Sequence, residues 1–533
     1  MAAPDPTQPT PAGAHPRPGP RGVRWWPAGT ILFLAGVAVA GVWAATGANH
    51  QLRNLRTMAV GVVAGVLLVL WSQLYSRLSG RTKLAVLGGV LGLVGTVAGL
   101  VRIRGVTGDL IPILQWRWVE GTQPTGPAVT LPVQPAGAPG PAGLAGDAYP
   151  QFLGPDRDAI VTGIHLASDW RSHPPRQLWR HAVGAGWSGF AVKGPYAVTQ
   201  EQRGPAEAVV CYQLLTGQPI WAHADPAHYS TTLAGEGPRA TPTIAGDRVV
   251  AQGATGLLNC LDLKTGRLLW STNILEANGS RLPEWGVSCS PLVWNHWVIV
   301  SPGGRNERSL VAYDIDSGRF VWGGGEDGAG YSSPCLATLD GVRQVLIFDG
   351  GGVSGHAATT GQVLWRYPWP GGHPHVAMPV VLGTDRVLIS SGYGTGSEVV
   401  RVSGGPTTPW RAVRLWKSLR LKAKFTNVVQ KNGYIYGLDD GILVCLDAAT
   451  GQLRWKGERY GHGQMILADD LLLVTVESGA IALVDPQPQA FRELARLTVF
   501  DRKTWNPPAL AGPYLLVRND AEAALYRLPL RGE

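Results

Sequence analysis

One ten-residue pattern constrains this chain more than any other feature. Leu261-Asp-Leu-Lys-Thr-Gly-Arg-Leu-Leu-Trp270 returns as Tyr313-Asp-Ile-Asp-Ser-Gly-Arg-Phe-Val-Trp322 and as Leu446-Asp-Ala-Ala-Thr-Gly-Gln-Leu-Arg-Trp455. Looser copies run from Tyr212 to Trp221 and from His356 to Trp365. Each copy reads as a strand, a turn and a strand. In the first, Leu257–Asp262 runs in, Lys264-Thr265-Gly266 turns, and Arg267–Trp270 runs out. Glycine supplies a positive-φ position there, and the aspartate can accept hydrogen bonds from turn amides, so these aspartates read as turn-makers. The closing Trp is a large plate suited to packing between neighbouring sheets while its indole N–H finds a carbonyl.

Ahead of each copy lies a second pattern, an apolar strand, a turn and a stronger apolar strand, as in Thr241–Val250, Ser290–Val300 and Phe425–Tyr436. Four short antiparallel strands per unit, recurring every roughly 40–50 residues, describe a propeller blade. The Trp positions 179, 221, 270, 322, 365, 416 and 455, with Arg492–Leu497 as a copy without Trp, give eight units. The last unit, built on Leu510–Val517 and Ala523–Leu528, lacks an outer strand of its own. Leu178-Trp179 is expected to supply it and close the ring, which removes the exposed edge of an open array. The expected fold is all-β, an eight-bladed β-propeller of four-stranded antiparallel blades, preceded by three transmembrane α-helices.

The Asp-x-x-Thr/Ser-Gly-x-x-x-Trp repeat, from about Tyr149 to Leu530, resembles the pyrroloquinoline-quinone-type repeat of eight-bladed quinoprotein dehydrogenases and of the BamB-like outer-membrane assembly lipoproteins. Gln151-Phe-Leu-Gly-Pro-Asp-Arg-Asp158 is similar to the Gly-Pro-x-Arg lead-in found before propellers of membrane-anchored bacterial proteins of this kind. The resemblance implies either a binding or scaffold module that keeps the repeat without quinone, or a dehydrogenase of alcohols or sugars. In the latter, pyrroloquinoline quinone would sit over a Trp with Ca²⁺ held by Glu, Asn and Asp. This chain has no adjacent Cys-Cys pair, which several quinoprotein alcohol dehydrogenases carry, and no Asp-rich loop to match that ligand set. The binding module is therefore the expected function and the quinoprotein oxidoreductase the alternative.

The rest of the 533 residues divides by composition. Residues 1–24 open with a Pro/Gly/Ala-rich stretch expected to be disordered. Residues 25–104 hold three charge-free apolar runs, Ala28–Ala45, Met58–Leu74 and Leu84–Val101, each near the roughly 20 residues that cross a bilayer as a helix. Residues 105–148 read as a Pro/Gly/Ala linker, and 149–533 as the propeller. Three spans put the N-terminus and the propeller on opposite sides. Arg17, Arg21, Arg24, Arg77, Arg81 and Lys83 on one side outnumber Arg53, Arg56, Arg102 and Arg104 on the other, which favours a cytoplasmic N-terminus. The expected location is the cytoplasmic (inner) membrane with a periplasmic propeller. The net charge of +9 is spread without a Lys/Arg block, so nucleic acid is not an expected partner. Five cysteines, none adjacent, suggest no disulfide framework.

In a propeller, the loops leading from each outer strand to the next inner strand gather around one mouth of the channel. Here they carry Trp187, Arg239, Glu284, Trp285, His373, His375, Lys422, Lys424, Asn427, His462, Trp505 and Asn506, the candidate ligand contacts. A protein segment, a glycan or a small molecule could bind such a rim. Glu201 and Glu284 are the carboxylates that could serve as general bases, although nothing pairs either with a nucleophile. His373 and His375 have no third ligand in sequence, so no metal site is expected.

Overall fold

The computed structural model describes residues 22–45, 50–118 and 148–533. The expected disordered start, apart from its last residues, and most of the expected linker lie outside them. Three helices come first: α1 (Trp26–Ala44), α2 (His50–Leu74) and α3 (Gly80–Leu100). All three are long and apolar enough to cross a membrane. Pro27 stands in the first turn of α1, where its missing N–H costs nothing, and the Ser79 hydroxyl caps α3 by accepting from the Thr82 amide at 3.2 Å. α2 starts eight residues before its apolar run because a helix needs backbone hydrogen bonds rather than apolar side chains to continue through Arg53 and Arg56.

The linker expected from residue 105 opens instead on ordered structure. β1 (Val101–Val106) and β2 (Pro112–Trp116) pair as a two-stranded hairpin. The Thr107 amide donates to the Ile111 carbonyl at 2.9 Å across its tip. By internal packing the chain forms two compact units, one made of the helices and the other of residues 103–115 with the propeller.

The propeller has the expected eight blades. Seven are continuous four-stranded antiparallel meanders at 191–225, 243–273, 292–324, 335–368, 380–418, 429–459 and 465–498. The eighth combines three C-terminal strands with Arg176–Ala182, in a register that sets Trp179 opposite Leu525. Closure by the N-terminal strand is thus observed as the repeat pattern implies. Arg518, fully buried in the last blade, adds a second staple by donating to the Thr199 hydroxyl (2.7 Å) and to the Gln200 and Gly184 carbonyls (2.9 and 2.8 Å) of the first-blade region.

The core lies between blades. Val198, Cys211 and Trp221 of the first pack against Ile244, Val249 and Leu261 of the second. All five cysteines are buried and unpaired. The repeat's chemistry is visible at four of these junctions. The Trp221 indole donates to the Leu263 carbonyl of the next blade at 2.8 Å, and Trp179, Trp270 and Trp416 do the same to Leu214, Ile315 and Ala448. The turn glycine lies flat on that ring, since a Cβ on Gly266 would come 2.5 Å from Trp221 Cε3. Asp262 accepts from the Lys264 and Thr265 amides and the Thr265 hydroxyl. Partial burial raises its pKa, but these bonds outweigh it and hold the carboxyl below its usual range. The seventh blade's outer strand, Glu493–Thr498, lacks Trp for a matching reason. The eighth blade takes its outer strand from the N-terminal side, so it has no third-to-fourth-strand turn whose glycine would receive the ring.

The lead-in also finds its role. The Pro150 carbonyl accepts from the Ile244 amide, Ile160–Val161 pairs in parallel with the inner strand Met465–Ala468, and Arg157 donates to the Ser290 and Pro291 carbonyls at 2.8 and 2.9 Å. Residues 149–161 therefore run inside the ring of blades and tie the first, second, third and seventh together.

Gly266 and Gly433 both have positive φ (70° and 81°), but nothing lies within 4 Å of a Cβ at Gly433. Gly433→Ala should cost about 1–2 kcal/mol, the penalty of a left-handed backbone. Gly266→Ala should cost about 1–3 kcal/mol more from the clash with Trp221. Denaturant unfolding of both variants measures the difference, and equal losses would rule out the interlock as its source.

Candidate functional site

The loops that follow the outer strands converge on a cavity of about 290 Å³. Six of the twelve expected contacts line it: Trp187, Arg239, Trp285, Lys424, Asn427 and Trp505. Phe152 of the lead-in lines it too, and Tyr331, Tyr393 and Phe425 extend the aromatic wall. Trp187 and Trp505 rings lie 5.0 Å apart, and Phe425 lies 4.9 Å from Trp505. The Trp187 indole is fixed by the Ala234 carbonyl at 2.5 Å, and that of Trp505 by Glu477 Oε1 at 2.9 Å. Asn506 donates to the Gly186 and Ser188 carbonyls (3.0 and 2.8 Å), which straps the Trp187 loop to the Trp505 loop. Arg239 stands 4.7 Å over the Tyr229 ring and donates to the Gly235 and Gly237 carbonyls. Its burial draws the guanidinium down to about 10.

The remaining candidates sit elsewhere. Glu201 is fully buried in an ion pair with Arg203 (2.8 Å) and accepts from Tyr212 Oη (2.6 Å) and the Gly184 amide (2.7 Å), so its oxygens are committed to structure. Glu284 is exposed and contributes its carbonyl, at 2.5 Å from Tyr229 Oη, rather than its carboxylate. Lys422 pairs with Asp439 and Asp440, beside Lys456 on the same Asp439. His375 stacks on Phe348, with ring nitrogens at the Asp349 and Pro370 carbonyls (2.6 and 3.0 Å), and His373 meets the Ser391 hydroxyl at 3.0 Å. Among the described residues, no group of three or more His, Cys, Asp or Glu is placed to hold a metal.

His462 marks the part of the site that sequence reasoning missed, because its partner comes from the hairpin tip. His462 Nε2 lies 3.2 Å from Asp109 Oδ1, and Arg459 Nη1 lies 3.2 Å from Asp109 Oδ2. The Gly108 amide donates to Glu477 Oε1 at 2.6 Å, and Lys424 Nζ donates to the Gly108 carbonyl at 2.9 Å. Lys503 Nζ donates to the Val106 carbonyl at 3.2 Å. Glu477 is the hub, since it also accepts from the His462 amide at 3.0 Å. Burial alone would raise the Asp109 pKa, but the His462 bond and the charges of His462, Lys424 and Arg459 hold it below the usual range. Burial lowers that of Lys424, against the charges of Asp440, Asp109 and Glu477. Alternation through Arg-Ile-Arg-Gly-Val-Thr-Gly-Asp-Leu-Ile-Pro-Ile was a legible hairpin signal. Glu477 carried none, because it stands in a turn of ordinary composition.

The arrangement suits recognition of polypeptide, with cations and a carboxylate aimed at main-chain groups beside an aromatic well. Ser288, Ser290, Ser333, Asn427 and Gln464 are oxygen donors on the cavity wall, which carries no carboxylate among the described residues. Ca²⁺ takes about six to eight oxygen ligands, carboxylates prominent among them. A calcium–quinone pair does not fit that donor set.

Lys503 sits 3.9 Å from the Trp505 ring centre and 4.9 Å from that of Trp187. Burial brings its ammonium down to about 8, despite the charges of Asp520 and Glu477. The unfolded chain holds that proton to about 10.4, so it binds more protons than the folded one between these values, and this group's contribution to stability rises with pH there. Tryptophan fluorescence should therefore change with a midpoint near pH 8, and Lys503→Met should abolish the step.

A family model described as the outer membrane protein assembly factor BamB matches residues 175–283 and 205–457. The BamB of Bordetella pertussis is 28% identical over 159 residues, which are 28% of this chain and 36% of that protein. The match thus spans little more than a third of the relative's length. Among solved structures, BamB from Moraxella catarrhalis is 16% identical, with a TM-score of 0.49, covering 66% of this chain and 100% of that one. A europium-containing methanol dehydrogenase is 13% identical, with a TM-score of 0.42, covering 71% and 98%. With the family model running across more than half of the sequence, this chain belongs to the family of the outer membrane protein assembly factor BamB.

Proposed function

We propose that this protein is a membrane-anchored binding module whose propeller mouth clasps a turn of polypeptide. One observation carries the reading. The Gly108 amide and carbonyl are held by Glu477 and Lys424, from different blades, so side chains at the mouth read the main chain of a turn. Such recognition is indifferent to most side chains, and the neighbouring aromatic wall supplies the rest of the contact. The family name, which speaks of assembly rather than of a reaction, supports a scaffold role. Three apolar helices support anchoring in the cytoplasmic membrane, and the positive-charge distribution supports an extracytoplasmic propeller.

Replacing Trp187, Lys424, Glu477 and Trp505 by Ala together should reduce cross-linked capture of a partner from solubilised membranes at least tenfold relative to wild type. The melting temperature of the variant serves as the folding control. Unchanged capture would remove the mouth as the binding face. For orientation, Ser172 is exposed on the propeller while every native cysteine is buried. Ser172→Cys should react with a membrane-impermeant maleimide on intact inner-membrane spheroplasts, and labelling only after lysis would reverse the topology.

A further inference from the structure

The hairpin tip satisfies the polar half of the mouth and leaves the apolar half open. Leu110 reaches the cavity wall, yet about 290 Å³ remains beside it, bounded by Trp187, Trp285, Tyr331, Tyr393, Phe425 and Trp505. Leu110 also holds φ at 58°, a left-handed backbone that such a residue rarely adopts. The Gly-Asp part is seated closely by contrast. A Cβ on Gly108 would fall 2.0 Å from His462 Cδ2 and 2.9 Å from Phe425 Cζ, and Asp109 meets both His462 and Arg459. The mouth therefore has a clamp matched to a Gly-Asp turn and, next to it, an aromatic well larger than the residue presented to it.

We propose that residues 106–111 are a placeholder, and that the ligand of the mouth is a partner protein's acidic Gly-Asp turn bearing a large aromatic residue where this chain has Leu110. The inference rests on the reading of the mouth as a polypeptide-binding site. Charge complementarity selects the acid, because Lys424, Lys503, Arg459 and His462 surround the turn. Shape selects the aromatic residue, because flat rings pack favourably on the rings that bound the well. A tethered tip competes at an effective concentration on the order of millimolar. An external turn must offer more than the tip does, and a buried aromatic anchor is worth on the order of 100-fold in affinity.

The probe is a disulfide-closed peptide, Cys-Val-Thr-Gly-Asp-Trp-Ile-Cys, labelled and titrated by fluorescence anisotropy onto the full chain in detergent. A Leu-for-Trp peptide and an Asn-for-Asp peptide serve as comparisons. Gly108→Val should eject the tip by collision with His462 and tighten binding of the Trp peptide at least tenfold over wild type. Asp109→Asn, which frees the tip without steric insertion, should shift it the same way and serves if Gly108→Val lowers the melting temperature. The Leu and Asn peptides should bind at least tenfold more weakly, and Glu477→Gln in either background should weaken all three. Equal affinity in wild type and both tip variants, or equal affinity of the Trp and Leu peptides, would overturn the proposal. If no peptide binds but capture of a partner still depends on the rim residues, the turn chemistry is wrong while the binding module stands. Loss of rim-dependent capture as well would bring down both.

Discussion

The structure depends on one contact repeated at five blade junctions, the tryptophan of one blade lying on the turn glycine of the next. A side chain at that glycine would intrude on the ring, with Cβ positions 2.5–2.7 Å from the indole at Gly217, Gly266, Gly318 and Gly451. At these four the indole N–H then reaches a carbonyl of the same turn, so a large apolar plate is buried with its polar group paired. Each contact joins only neighbouring blades, which is how a repeat array accumulates stability. Trp179 completes the cycle. Its strand pairs with the last blade, while its ring rests on Gly217 of the first.

A closed ring gives the loops a rigid base, and that base gives the mouth its precision. Arg518 ties the seam by donating to Thr199 and Gln200 of the first blade and to Gly184 in the segment leading into it, and the lead-in places Phe152 on the cavity wall. Both arginines that hold this framework, Arg157 and Arg518, are buried and donate to neutral oxygen acceptors. Their planar, multidentate geometry suits them to cross-linking main-chain segments from different blades. The polar candidate and site residues divide along the same line. Glu201 and Asn506 hold backbone in place, whereas Lys424, Glu477 and His462 turn toward the hairpin tip.

The candidate site was half legible. Trp187, Trp285 and Trp505 were readable as rim residues because blade topology assigns their loops to one face, and the cavity gathers them. Glu284 and Lys422 share those loops and that face, yet an exposed side chain and an intrablade ion pair take them off the cavity. The decisive partners, Asp109 and Glu477, meet through Gly108 and His462 across more than 350 residues of chain. No local pattern can report a contact at that separation.

What the sequence determined by itself is the repeat, and through it the blade count, the strand order and the closure by Trp179. Those properties rest on local turn chemistry and on a periodic Trp–Gly pairing, both of which are written within ten residues. Only the tertiary structure decided that the lead-in joins the inner strands of four blades, that residues 101–116 are a hairpin whose tip is held by the propeller, and which rim residues share a cavity. These depend on where side chains from separate blades point once the ring has closed, a property of three-dimensional packing that residue order does not encode locally.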